Sequence, residues 1–166
     1  PLVELGKARG GGAAFALGPA GWRDFARDAV FIVGRSAAAA DWPYVHPGPD
    51  DSWAGRRAHT YRIVVDLSTA PPAVDGELTI DMLDTHSNQP PEIEFGVNGA
   101  AIARASLPRG GGDGSLNGRP DNATRHTVRV RVPAGSLKTG RNVLTVANVK
   151  GSWFIYEHLA LRLPGA

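Results

Sequence analysis

Thr127-Val128-Arg129-Val130-Arg131-Val132 is the stretch that decides the fold. It sets three valines on one side and two arginines on the other. In an extended chain successive side chains point to opposite faces, so this pattern makes one face apolar and the other wet, as in a half-buried strand. Leu78-Thr79-Ile80-Asp81-Met82-Leu83 and Ile93-Glu94-Phe95-Gly96-Val97 repeat the alternation. Tyr61 to Leu67 and Asn142 to Val149 are rich in β-branched residues and end in turn formers. The last run, Trp153 to Leu163, puts Trp153, Ile155, Leu159, Leu161 and Leu163 on one face, and its length places it centrally.

Turn chemistry separates these runs. Asn98-Gly99 lies between Phe95/Val97 and Ile102, and both residue types tolerate the positive φ of a two-residue hairpin turn. Pro71-Pro72, Asp75-Gly76, Pro133-Ala134-Gly135 and Thr139-Gly140 mark further connections. Short strands at regular spacing without intervening helices predict an all-β fold: a jelly-roll β-sandwich of two antiparallel sheets, at least eight strands in all. The core set is Ile80, Met82, Phe95, Val97, Val128, Val130, Ile155, Leu159 and Leu161, buried between the sheets.

Helix is expected in one or two short turns at most. Trp22, Phe25, Ala26 and Ala29 follow the helical spacing i, i+3, i+4, i+7, and this window leads into a strand at Val30 to Val33. Two weaker strand candidates flank Gly10-Gly11-Gly12. Two loops are unusually long, Arg35 to Arg57 and Arg109 to Arg125. Loops of more than about 15 residues in a compact domain are usually functional or disordered. The first carries Trp42, Tyr44 and Trp53, too much aromatic area for a disordered linker.

Composition narrows the function. The 166 residues are read as a single domain, 1–166, large enough to bury a core without cross-links. With no cysteine, disulfides, thiol catalysis and thiolate zinc sites are excluded. Eighteen basic against 16 acidic residues leave a net charge of +2, which gives no electrostatic footprint for nucleic acid. No run approaches the roughly 18 apolar residues that a membrane span needs. The chain opens at Pro1, so it reads as an excised or processed piece. A monomer is expected, the Ala/Gly/Arg-rich composition suggests a bacterial source, and a core that needs no cross-links allows a secreted one.

A sugar presents hydroxyls along its rim and C–H groups on its faces, so a site for it needs aromatic platforms beside planar polar groups. Trp42, Tyr44 and Trp53 are candidate platforms, and His46, Asp50, Asn117, Arg119, Asp121 and Asn122 are candidate polar partners. The competing reading is that the aromatic side chains fold back and pin the loop to the sandwich. Arg104, Arg109, Arg119, Arg125, Arg129 and Arg131 could grip an acidic polysaccharide in bidentate forks, or simply form a solvated face. Asp50-Asp51 and Asp81/Asp84 are carboxylate pairs, but no motif marks either as catalytic. The histidines His46, His59, His86, His126 and His158 lack metal-ligand spacing, and no nucleophile elbow or phosphate loop is present. Asn122-Ala123-Thr124 is a glycosylation sequon, discounted for a bacterial chain. No cofactor is expected beyond a structural calcium, for which Glu4 and Glu157 are the candidate ligands.

Phe31-Ile32-Val33-Gly34-Arg35-Ser36, the loop Asp41 to Gly55, Gly140-Arg141-Asn142-Val143-Leu144-Thr145-Val146 and Gly151-Ser152-Trp153-Phe154-Ile155-Tyr156-Glu157 together resemble one family. It is the carbohydrate-binding-like third domain of polysaccharide lyase family 4, the rhamnogalacturonan lyases. The resemblance is strongest over residues 20–164, with Glu157 standing where such domains often carry Asp. It implies a jelly-roll module standing behind a catalytic domain that holds the catalytic residues, so no catalytic residue is assigned here. The expected partners are a plant cell-wall, pectic polysaccharide and the parent's catalytic domain. The alternative is a buttress that supports that catalytic domain and binds no sugar.

Overall fold

A computed structural model of the chain describes residues 1–165. Ten strands form two five-stranded sheets that face each other as a jelly-roll sandwich. The first sheet runs β1 (Val3–Gly6), β10 (Phe154–Arg162), β5 (Gly76–Thr85), β8 (His126–Val132), with β3 (Val45–His46) also bonded to β10. The second runs β2 (Val30–Ile32), β4 (His59–Leu67), β9 (Gly140–Lys150), β6 (Glu92–Val97), β7 (Ala100–Ser106). β10 is central, as its length predicts, and it is buried from Phe154 to Leu161. The Asn98-Gly99 turn joins β6 to β7 with φ of 50° and 85° at its two residues, the geometry the dipeptide favours.

Three details depart from the sequence reading. The pairing of β2 with β4 is parallel. Parallel neighbours need a crossover, and the long segment between them supplies it. Helical structure is also more scattered than expected: six turns of three or four residues occur among the described residues, all outside the strands. Trp22–Asp24 is one of them, a 3-10 turn. Another, at Gly12–Ala14, follows β1 and stands in place of the second strand candidate near Gly10-Gly11-Gly12.

The third departure is the face order of β10. All nine predicted core residues are buried. On β5, Ile80 and Met82 share a face; their partners on β10 are Leu159 and Tyr156, three residues apart instead of two. Glu157 is the extra residue of a bulge, and the bulge switches the strand's parity. Tyr156 thus turns toward Tyr61 of the other sheet, ring centroids 6.0 Å apart, whereas Ile155 faces away and lies 3.6 Å from the position a Cβ on Gly12 would take.

Strand directions sort the connections. The ends of β5, β7 and β9 and the starts of β4, β6, β8 and β10 lie together, because His59 pairs with Asn148, Phe154 with Thr85, and His126 with Met82. Residues 47–58 and the whole second long loop therefore meet at one end of the sandwich.

Candidate functional site

The loop end is built on buried polar anchors. Asp84 closes β5 with no exposed surface, and its carboxylate accepts from the backbone N–H groups of Gly111 (2.8 Å) and Thr124 (3.1 Å) and from the Ser115 hydroxyl (2.6 Å). One carboxylate thus draws in three points of the second long loop, whose α2 (Asp113–Leu116) carries Ser115. The approach is so close that a side chain at Gly111 would collide with the carbonyl oxygen of Asn122. Asp51 does the same for the first loop. It accepts from Gly48 N–H at 2.8 Å and from the Ser152 hydroxyl, and burial pushes its carboxyl up from the ordinary range. Asp50, by contrast, is exposed, and Asp81 faces His158 (3.0 Å) and the Thr127 hydroxyl. Neither carboxylate pair opens onto a shared cleft.

Trp42, Tyr44 and His46 are 0%, 1% and 0% exposed, which removes them as sugar platforms or partners. The physical reason is the aromatic cluster at the centre of the sandwich. Trp42 meets Tyr61 and Tyr156 edge-on at 5.2 and 5.4 Å, and its indole N–H finds no acceptor among the described residues. His46 stacks on Tyr61 at 3.7 Å. Its Nε2 lies 2.7 Å from the His59 carbonyl, which can only accept, so Nε2 carries the proton. Its Nδ1 then accepts from the Tyr156 hydroxyl at 2.7 Å. Burial drives the imidazole down to about 3, so it is neutral near pH 7. Tyr44 spans the gap between the loops, its hydroxyl donating to the Leu116 carbonyl at 2.7 Å.

The other six predicted residues reach the surface, Asp50 and Asn117 among them. Trp53 is half-buried, in a 3-10 turn at Ser52–Ala54, and meets Trp22 at 5.1 Å and Phe25 at 6.1 Å. Arg119, Asp121 and Asn122 are exposed on the second loop, and their side chains make no hydrogen bond among the described residues. Trp22 is the candidate residue at this end that sequence reasoning missed. Its helical spacing reads as a core stripe, yet the ring stays half-buried at the rim, with the Arg23 guanidinium 4.2 Å above it. The Trp22 indole N–H donates to Asn117 Oδ1 at 3.0 Å, which ties the N-terminal segment to the second loop. Trp22, Trp53 and Asn117 therefore lie together at the loop end.

Behind this patch, Phe25 packs edge-on against His59 at 5.2 Å, and His59 Nδ1 bonds the Asp28 carboxylate. Partial burial would raise the Asp28 carboxyl, but the hydrogen bonds from His59 and Arg57 outweigh it and hold it well below the ordinary range. The six arginines form no single clamp. Arg104 pairs with Glu92, Arg125 with Glu157, Arg129 with Glu77 and Arg131 with Asp75, spread over both sheets. The two candidate calcium ligands likewise take different partners. Glu4 faces His158 at 2.9 Å, and the bulge residue Glu157 holds the Arg125 guanidinium and the Gly11 N–H. Each carboxylate has its own guanidinium beside it, Arg162 at 3.5 Å from Glu4 and Arg125 at 3.0 Å from Glu157.

Among curated proteins, no sequence match to the chain is found. Three solved structures similar to it are carbohydrate-binding modules or carry one. A family 35 module from an environmental isolate has 14% identity and a TM-score of 0.45, covering 66% of this chain and 67% of that one. The family 35 module of Cellvibrio japonicus Abf62 has 15% identity and a TM-score of 0.42, covering 97% and 93%. A Podospora anserina GH26-CBM35 β-(1,4)-mannanase has 18% identity and a TM-score of 0.40, covering 72% of this chain and 22% of that one. The profile of the family described as "CBM-like: Polysaccharide lyase family 4, domain III" matches residues 7–161. The chain thus belongs to that family, as a carbohydrate-binding-like domain.

Proposed function

We propose that the domain is the carbohydrate-binding module of a secreted polysaccharide-degrading enzyme, a polysaccharide lyase of rhamnogalacturonan-lyase type, and that it holds that enzyme on plant cell-wall, pectic polysaccharide. The observation that carries this is the meeting of Trp22 and Trp53 at the loop end, edge-to-face at 5.1 Å, beside the amide of Asn117. Partly exposed indoles offer apolar faces to sugar C–H groups, and nearby amide and guanidinium groups address the hydroxyls. The loops are held by buried anchors, so little ordering entropy opposes binding. Affinity electrophoresis of the isolated domain in gels containing rhamnogalacturonan, galactan, arabinan or xylan tests it: retardation by at least one polymer is expected.

The buttress reading gains from the burial of Trp42 and Tyr44, which serve the fold and not a ligand. Free migration in every gel, with the domain folded, favours that reading.

A further inference from the structure

On the flank of the loop end formed by the β5–β6 and β9–β10 connections lies a groove of about 510 Å³. Its floor is apolar, made of Pro49, Pro90, Pro91 and Leu107. Asp50, Gln89 and Lys150 stand along its rim, exposed, and their side chains make no hydrogen bond or ion pair among the described residues. The walls are fixed by backbone bonds between loops. Asp50 N–H donates to the Gly151 carbonyl at 3.0 Å, Ser152 N–H to the Gln89 carbonyl at 2.8 Å, and Leu107 N–H to the Pro91 carbonyl at 3.0 Å. Pyrrolidine rings fix their own φ, which stiffens the floor further.

We propose that this groove is a second saccharide subsite, specific for uncharged sugar residues of the polysaccharide. The proposal rests on the carbohydrate-binding reading given above. A rigid apolar floor matches the C–H face of a pyranose or furanose ring. An unengaged carboxylate, amide and ammonium on the rim supply acceptors and donors for its hydroxyls. Asp50 and Lys150 balance in charge, and Glu92 also lines the groove, so a uronate carboxylate meets no cationic excess there. Residues 47–58 carry both Asp50, which lines the groove, and Trp53, which packs on Trp22, so the first long loop borders both surfaces.

Backbone-amide NMR titration of the whole domain with galactan, arabinan and xylan oligosaccharides, and with oligogalacturonate, tests this. A neutral oligosaccharide should shift the amides of Asp50, Gln89 and Lys150. Asp50→Ala should weaken that binding about tenfold, the cost of one lost hydrogen bond to a charged group, and Gln89→Ala about threefold, the cost of a neutral one. Retained spectral dispersion in both variants excludes unfolding as the cause. Shifts confined to Trp22, Trp53 and Asn117, with both groove variants binding like wild type, overturn the groove and leave the proposed function standing. A preference for oligogalacturonate in the groove overturns the neutral assignment, and no shift with any saccharide overturns both readings.

Discussion

The hydroxyl of Tyr44 donates to the carbonyl oxygen of Leu116 across 2.7 Å, and this bond links the two long loops that sequence alone shows only as separate segments. Tyr44→Phe keeps the ring and deletes the donor, leaving a buried carbonyl unpaired. The expected cost is about 1–3 kcal/mol in urea denaturation. Faster amide exchange over residues 113–118 should accompany it.

Asp84 has the larger structural role. Asp84→Asn keeps the volume and can keep its Oδ1 toward the N–H groups of Gly111 and Thr124, but it removes the charge and turns the acceptor facing the Ser115 hydroxyl into a donor. A loss of about 3 kcal/mol is expected, with the second loop losing hydrogen-exchange protection first. Unchanged protection of residues 110–124 would show that the loop is held by something else.

Acid should unfold the domain through His46. Its unfolded value is 6.5 and its folded value about 3, so between these the unfolded chain binds the extra proton and stability falls as pH falls. The slope from this group approaches about 1.4 kcal/mol per pH unit below pH 6.5, and it contributes none above. Asp28 has the same sign, since its depressed carboxyl stabilises the fold above the unfolded carboxylate range and that is lost in acid. His46→Gln should be less stable than wild type at pH 7 yet show a shallower decline below pH 6.5, checked by thermal melts from pH 8 to 4.

Much of the fold was legible because alternation and turn chemistry are local. The valines of β8 and the Asn98-Gly99 turn required no tertiary knowledge. The face order of β10 was not legible, because a one-residue bulge at Glu157 inverts parity and leaves no trace in hydrophobicity. At the site, an aromatic residue in a long loop reads the same whether it faces sugar or core. Burial separates Trp42 from Trp53, and burial depends on Tyr61 and Tyr156, which are distant in sequence. Trp22 was hidden for the opposite reason, since its helical spacing suggested a core stripe.

The dispersal of the arginines gives a salt prediction. With Arg104, Arg125, Arg129 and Arg131 each paired to a carboxylate, binding at the Trp22/Trp53 surface should change little between low and high salt. A steep fall in affinity with salt would restore an arginine clamp as the dominant contact.

The central claim is that the loop end binds polysaccharide through Trp53 and Trp22 while Trp42 serves the core. Isothermal titration of wild type, Trp53→Ala and Trp42→Ala with pectic and neutral glycans, beside urea denaturation of each, tests it most directly. Wild type should bind with Kd in the range of about micromolar to millimolar. Trp53→Ala should stay folded and lose at least about tenfold in affinity, a loss of roughly 1.4 kcal/mol. Trp42→Ala should lose about 3–5 kcal/mol of stability. Folded wild type that binds none of the glycans, or Trp53→Ala that binds as tightly as wild type, would contradict the account.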